Sequence, residues 1–134
     1  MPESAELPDC VSILVCDDVY RDEQTKKMVI VGTFNTILAV SMPVRHGKMN
    51  VLMTLTNGRG KFELCLSVAH AGSGATILEV KGPMELQDPL QMADINVELL
   101  GIEFSQDGRY WIDVKANGKL IAQRPIIVQR GGSK

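Results

Sequence analysis

The residues with which this chain could do chemistry are few: two histidines, three cysteines and one cluster of acids. Nucleophilic catalysis of the Ser/His/Asp or Cys/His kind needs a histidine held against the nucleophile and oriented by a third group. His46 lies in Pro43-Val44-Arg45-His46-Gly47-Lys48 and His70 in Ala69-His70-Ala71-Gly72, both read as solvated loop positions at strand ends. No spacing ties either histidine to a cysteine. Cys10, Cys16 and Cys65 match neither a zinc knuckle nor a CxxC redox pair, and an odd number cannot pair completely within one chain. They read as free thiols used as small core residues, with a Cys16 to Cys65 disulfide as the alternative. The acids Asp17, Asp18, Asp22 and Glu23 could cage calcium with their oxygens. They lack EF-hand spacing and are interleaved with Arg21, Lys26 and Lys27, which reads as charge neutralisation in an exposed loop. Asp17 is expected to accept backbone N–H bonds where the first strand ends.

Gly58-Arg59-Gly60-Lys61 is too short for a phosphate-cradling loop and precedes a strand rather than a helix. Small basic groups such as Arg45, Lys61, Lys115 and Arg124 read as solvated faces that discourage edge-to-edge pairing. The sequence therefore supplies no catalytic residue, no cofactor site and no metal site. The residues kept as contact candidates are Asp17, Asp18, Arg45, His46 and Trp111, the last because an exposed aromatic ring can anchor an interface.

These side chains are carried by elements with a period of two. Val11, Ile13 and Val15 alternate with Ser12, Leu14 and Cys16, giving a central strand apolar on both faces. Residues 17–27 read as a long connection, and Met28 to Phe34 as a strand with Gly32 at a bulge or close approach. Met49, Val51, Met53 and Leu55 alternate with polar neighbours, Asn57-Gly58-Arg59-Gly60 predicts a tight hairpin, and Phe62, Leu64, Leu66 and Val68 form its return strand. A short strand spans Thr76 to Val80, and residues 81–93, with Pro83 and Pro89, read as a crossover. The apolar face switches between Leu99 and Leu100, which predicts a β-bulge beside Gly101. Asn117-Gly118 between two alternating runs predicts a type I′ hairpin, with Tyr110 and Trp111 on opposite faces of its first strand.

Roughly eight short strands with regular turn signals predict an all-β fold, an antiparallel immunoglobulin-like β-sandwich, with a closed barrel as the alternative. A chain of 134 residues, 45% hydrophobic and 22% charged, suits one folded domain and lies far from the composition of disorder. The domain is expected over residues 10–129, between a flexible segment 1–9 and a flexible tail 130–134. A net charge of -2 argues against nucleic acid, no apolar run approaches a membrane span, and the start carries no secretory pattern, so a cytoplasmic location is expected.

Two segments carry a resemblance. The first is Ile13-Leu14-Val15-Cys16-Asp17 with Ile30-Val31-Gly32-Thr33-Phe34-Asn35-Thr36-Ile37, and the second is Gly108-Arg109-Tyr110-Trp111-Ile112-Asp113-Val114 with its Asn117-Gly118 return. Together they resemble a family of small uncharacterised bacterial proteins with a strand ending in Asp, a Gly-x-Phe-x-x-Ile segment and a closing Gly-x-Tyr hairpin. The resemblance covers most of the chain and implies an all-β sandwich with no assigned activity and no catalytic residues to transfer. Lys26-Lys27 stands where that family usually has Gly-Lys. The function that follows is a non-catalytic binding or assembly module with a protein partner or self-association, a homodimer included. The alternative is a ligand- or metal-binding protein or enzyme with a site in loops at one end of the sandwich.

Overall fold

The computed structural model describes residues 6–131. The period-two pattern becomes nine strands: β1 (Asp9–Arg21), β2 (Met28–Thr33), β3 (Thr36–Ala39), β4 (Val44–Thr56), β5 (Gly60–His70), β6 (Thr76–Leu86), β7 (Ala93–Phe104), β8 (Gly108–Ala116) and β9 (Lys119–Arg130). Four of them form a sheet in the order β2-β1-β4-β7, and five form a second in the order β3-β9-β8-β5-β6. The fold is an immunoglobulin-like sandwich. Two sheets, each with free edges, replace the closed barrel held as the alternative.

The core is the meeting of the inward rows. β4 contributes Met49, Val51, Met53 and Leu55, β5 contributes Phe62, Leu64, Leu66 and Val68, and β8 contributes Tyr110, Ile112, Val114 and Ala116, all buried. Tyr110 closes one end of this core. Its hydroxyl donates to the carbonyl of Gln106 at 2.6 Å and accepts the N–H of the same residue at 3.3 Å. Its ring meets the rings of Phe104 and His70 edge-on, each at 4.9 Å. A tyrosine near the start of a strand, bonded back across the preceding turn, is the tyrosine corner of immunoglobulin-like sandwiches. Burial pushes the Tyr110 phenol above its ordinary pKa.

The local expectations meet the tertiary fold unevenly. The terminal hairpin forms, with Asn117 at φ 50° and Gly118 at φ 82°. The Asn57 to Gly60 turn does not make a hairpin: β4 and β5 lie in different sheets, so the turn carries the chain across the sandwich. A Cβ at Gly58 would stand 2.9 Å from the Glu6 carbonyl, Pro8 and Leu86, and Glu6 and Arg59 exchange two backbone hydrogen bonds at 2.8 Å. These contacts, remote in sequence, pin the turn and also tie down residues 6–8 of the expected flexible segment. Residues 1–5 and 132–134 of the two expected flexible ends lie outside the described residues.

Pro83 does not end a strand. β6 runs through it to Leu86, because β6 is an edge strand and a missing N–H on the free side breaks no ladder bond. The sheets are also not wholly antiparallel, since β3 pairs with β9 in parallel. The first strand continues to Arg21, so the connection is residues 22–27. There the Asp22 carboxylate, not that of Asp17, caps the turn, accepting the N–H groups of Gln24 at 2.9 Å and Thr25 at 2.8 Å.

Finally, the switch of face in β7 involves no inserted residue. Leu99, Leu100 and Ile102 pair in unbroken register with Met49, Lys48 and His46, yet they are 3%, 69% and 5% exposed. Gly101, at φ 62°, turns the strand over, so a positive φ does what the expected bulge would have done. Removing the Tyr110 hydroxyl with Tyr110→Phe is expected to lower unfolding free energy by about 1–2 kcal/mol, measured as a shifted urea midpoint with unchanged slope.

Candidate functional site

The sandwich is not closed along the side where β6 and β7 are the edge strands. In β5 and β6, Leu66 opposes Val80, Leu64 opposes Gly82 and Phe62 opposes Met84, so Leu78, Val80, Gly82, Met84 and Leu86 form the inward row of β6. Gly82 is a gap in that row: a Cβ there would meet no atom within 4 Å. Opposite it, Ile95 and Val97 of β7 pair with Met53 and Val51 and face inward, only half-buried. Between the two edges lies a crevice of about 160 Å³, lined by Met53, Leu64 and Leu66 below and by Val80, Met84, Ile95 and Val97 at the sides. A wider, shallower hollow of about 520 Å³ adjoins it over Lys61, Glu63, Lys81 and Pro83. The crevice, lined almost wholly by aliphatic and thioether side chains, is the more apolar of the two, as a ligand site is expected to be.

The rim is polar on the β7 side. Asp94, Asn96 and Glu98 oppose Thr54, Leu52 and Asn50 and so occupy the outer face of the four-stranded sheet. The Asp94 carboxylate accepts the Thr54 hydroxyl at 2.7 Å. Asn50, 2% exposed, accepts from the Asn96 amide at 3.0 Å and donates to the Asp17 carbonyl at 2.8 Å, which satisfies both ends of a buried amide. Lys48 hydrogen-bonds the Asp18 carboxylate and lies 4.0 Å from Glu98.

Four of the sequence candidates fall together on this sheet. Asp17 and Asp18 are in β1, while Arg45 and His46 are in β4 rather than in a loop. The Asp17 carboxylate lies against Gly32, whose φ of 70° and lack of a side chain allow it: a Cβ there would sit 2.5 Å from Oδ2. Phe34 donates its N–H to the Val15 carbonyl at 3.1 Å and sets its ring 5.4 Å from that of His46. The Asp18 carboxylate is engaged by Lys48, and Arg45 packs against Gly101. Among the described residues, no group of three or more acids, histidines or cysteines is placed to hold a metal ion. Trp111 stands apart, on the outer face of β8 with the Arg109 guanidinium 5.4 Å from its ring centre. Arg124, read as a solvated basic residue, is half-buried and donates to the Asn35 side chain at 2.6 Å. Sequence reasoning missed the crevice, although its signal was present: Leu78, Val80, Met84 and Leu86 keep one alternating row across Gly82.

A family model described as a family of unknown function, DUF6941, matches residues 11–129. The chain belongs to DUF6941. No curated protein matches it. Among solved structures, the Pseudomonas fluorescens alkylpurine DNA glycosylase AlkC, bound to DNA containing an abasic-site analogue, aligns with 72% of the DUF6941 chain at 16% identity and a TM-score of 0.54. The chain spans 28% of that protein, and the likeness is one of fold. An immunoglobulin-like protein from Pseudomonas aeruginosa aligns over 95% of this chain and 98% of its own, at 12% identity and a TM-score of 0.40.

The histidines and cysteines of this DUF6941 domain are structural in their contacts. His70 ends β5, and its Nδ1 accepts the Ser73 N–H at 3.0 Å, so Nε2 carries the proton toward the Asp107 carbonyl, also at 3.0 Å. Cys16 and Cys65 lie on the outer faces of opposite sheets and cannot form the alternative disulfide; all three cysteines are free. Burial pushes each thiol above its ordinary value. Cys16 and Cys65 are expected to resist an aromatic disulfide reagent until denaturant unfolds the chain, with Cys10, the least buried, reacting first.

The Asp18 carboxylate bonded to Lys48 raises the Lys48 ammonium above its ordinary 10.5. A raised folded value stabilises the fold fully below the unfolded value, and the contribution disappears as pH rises through the folded one. Lys48→Met should therefore be less stable than the parent at neutral pH and converge with it in alkali, followed by urea midpoints across that range.

Proposed function

We propose that this domain is a non-catalytic binding module whose site is the crevice between β6 and β7, and that the group it takes is apolar. The observation that carries the reading is the gap at Gly82, which leaves about 160 Å³ open over buried Met53, Leu64 and Leu66. A benzene-sized group fills an apolar space of about 150 Å³. Met53 and Met84 give the lining the adaptable surface that thioethers provide. A protein partner is the expected source of the apolar group. The three free thiols support a reducing, cytoplasmic setting. The loop-end alternative is weaker because Asp18 is already neutralised by Lys48 and His46 packs on Phe34.

The test uses benzene as the probe and the methyl signals of Met53, Met84, Ile95 and Val97 as the readout. Benzene should shift those signals in the parent and leave them unmoved in Gly82→Leu, whose side chain points into the opening. The variant should also unfold at higher denaturant, by about 1–2 kcal/mol, because it buries a new apolar side chain where the strand had none. Unmoved signals in the parent, or equal shifts in both proteins, would refute the reading.

A further inference from the structure

The free edge beside the crevice belongs to β7, and it is long. β7 pairs with β4 from Ala93 to Phe104, and among the described residues no strand pairs with its other side. In constant-type immunoglobulin sheets the strand corresponding to β7 has a further neighbour, with strand order A-B-E-D. Here β1, β4 and β7 supply the first three, and the strand that precedes β7 in the chain, β6, pairs with β5 in the facing sheet instead of with β7, which leaves the fourth position open. The unfilled strand position and the crevice are therefore one feature, with Ile95 and Val97 inward and half-buried beside it.

We propose that an extended segment of a partner protein occupies this position, pairing with β7 and alternating apolar side chains, which enter the crevice, with basic ones, which lie beside Asp94 and Glu98. This rests on the crevice being a binding site and states what enters it. An added strand bonds to the backbone about 4.8 Å from β7 and repeats its side chains every second residue. One set of its side chains then falls over Ile95, Val97 and the Gly82 gap. The other set neighbours Asp94, Asn96 and Glu98 on the outer face, where three carboxylates, Asp18, Asp94 and Glu98, outnumber the one ammonium of Lys48, so that cations are favoured and carboxylates repelled. The same charges disfavour a second copy of this chain in the register centred on Asn96, where two antiparallel β7 strands would set Asp94 against Glu98. A basic, heterologous segment satisfies both the apolar and the charged half of the site.

The probe is a short capped peptide alternating valine and lysine, added to the full chain, with amide exchange along β7 and the Ile95 and Val97 methyl signals as readouts. Binding should slow exchange on the free side of β7 and shift both methyl signals. A valine–glutamate peptide should bind about tenfold more weakly. The double variant Asp94→Lys, Glu98→Lys should reverse that order, and backbone N-methylation of the valine–lysine peptide should abolish binding. If benzene enters the crevice but no peptide protects β7, the strand inference fails and the apolar site stands. If neither binds, both fall. Equal affinity for the acidic and basic peptides overturns the basic partner. A dimer in light scattering, with β7 amides protected before any peptide is added, overturns it in favour of self-pairing.

Discussion

Five strands facing four is the constraint on which the rest of this structure depends. Each sheet must bury its apolar face against the other, and the inward rows of β4, β5 and β8 do so completely. The wider sheet, however, has one strand more than the narrower sheet can cover. That surplus falls on β6, whose inward row is only half-buried at Leu78 and Met84, exposed at Val80 and interrupted at Gly82. A leucine at Gly82 would partly close the opening. Its absence leaves apolar area in contact with water, at about 25 cal/mol for each square ångström, which is a standing drive toward any partner able to cover it.

The opposite margin is finished differently. Beside β9 the parallel strand β3 buries Ile37 and Ala39, and Gly131 donates its N–H to the Ala39 carbonyl at 2.9 Å. Arg124 reaches from β9 to Asn35 across the same margin. The Gly32 to Ile37 segment thus has a mechanical explanation. Gly32 admits the Asp17 carboxylate, Phe34 bonds to β1 and covers His46, and Ile37 enters the core of the facing sheet. In six residues the chain leaves one sheet and seals the edge of the other. No comparable segment runs between β6 and β7.

What could be read from the sequence was whatever is decided locally. Alternation located the inward rows of β4, β5 and β8, and the Asn117-Gly118 pair fixed its hairpin because the backbone twist of that turn admits little else. Tyr110 and Trp111 fell on opposite faces for the same period-two reason. The destinations of strands were not legible. Asn57 and Gly60 have the positive φ of a turn, but Pro8, Leu86 and Glu6 decide that the turn crosses between sheets. Pro83 reads as a break unless its strand is known to be an edge, and edges are tertiary facts. The candidate site failed to appear for a related reason: it is made of ordinary core residues and one missing side chain, so nothing in it has a chemical signature. Of the charged and aromatic residues that drew attention instead, Asp18 is paired with Lys48, His46 lies against Phe34 and Trp111 beneath Arg109, while Asp17 and Arg45 pack against Gly32 and Gly101.

Trp111 is the sole tryptophan of the chain, and its indole lies on the outer face of β8, beneath the Arg109 guanidinium and beside Pro125. The sheet itself stands between that ring and the lining of the crevice. Intrinsic fluorescence will consequently report loss of the native fold while remaining nearly blind to occupancy of the crevice, and titrations followed by that signal alone would score a true ligand as inert.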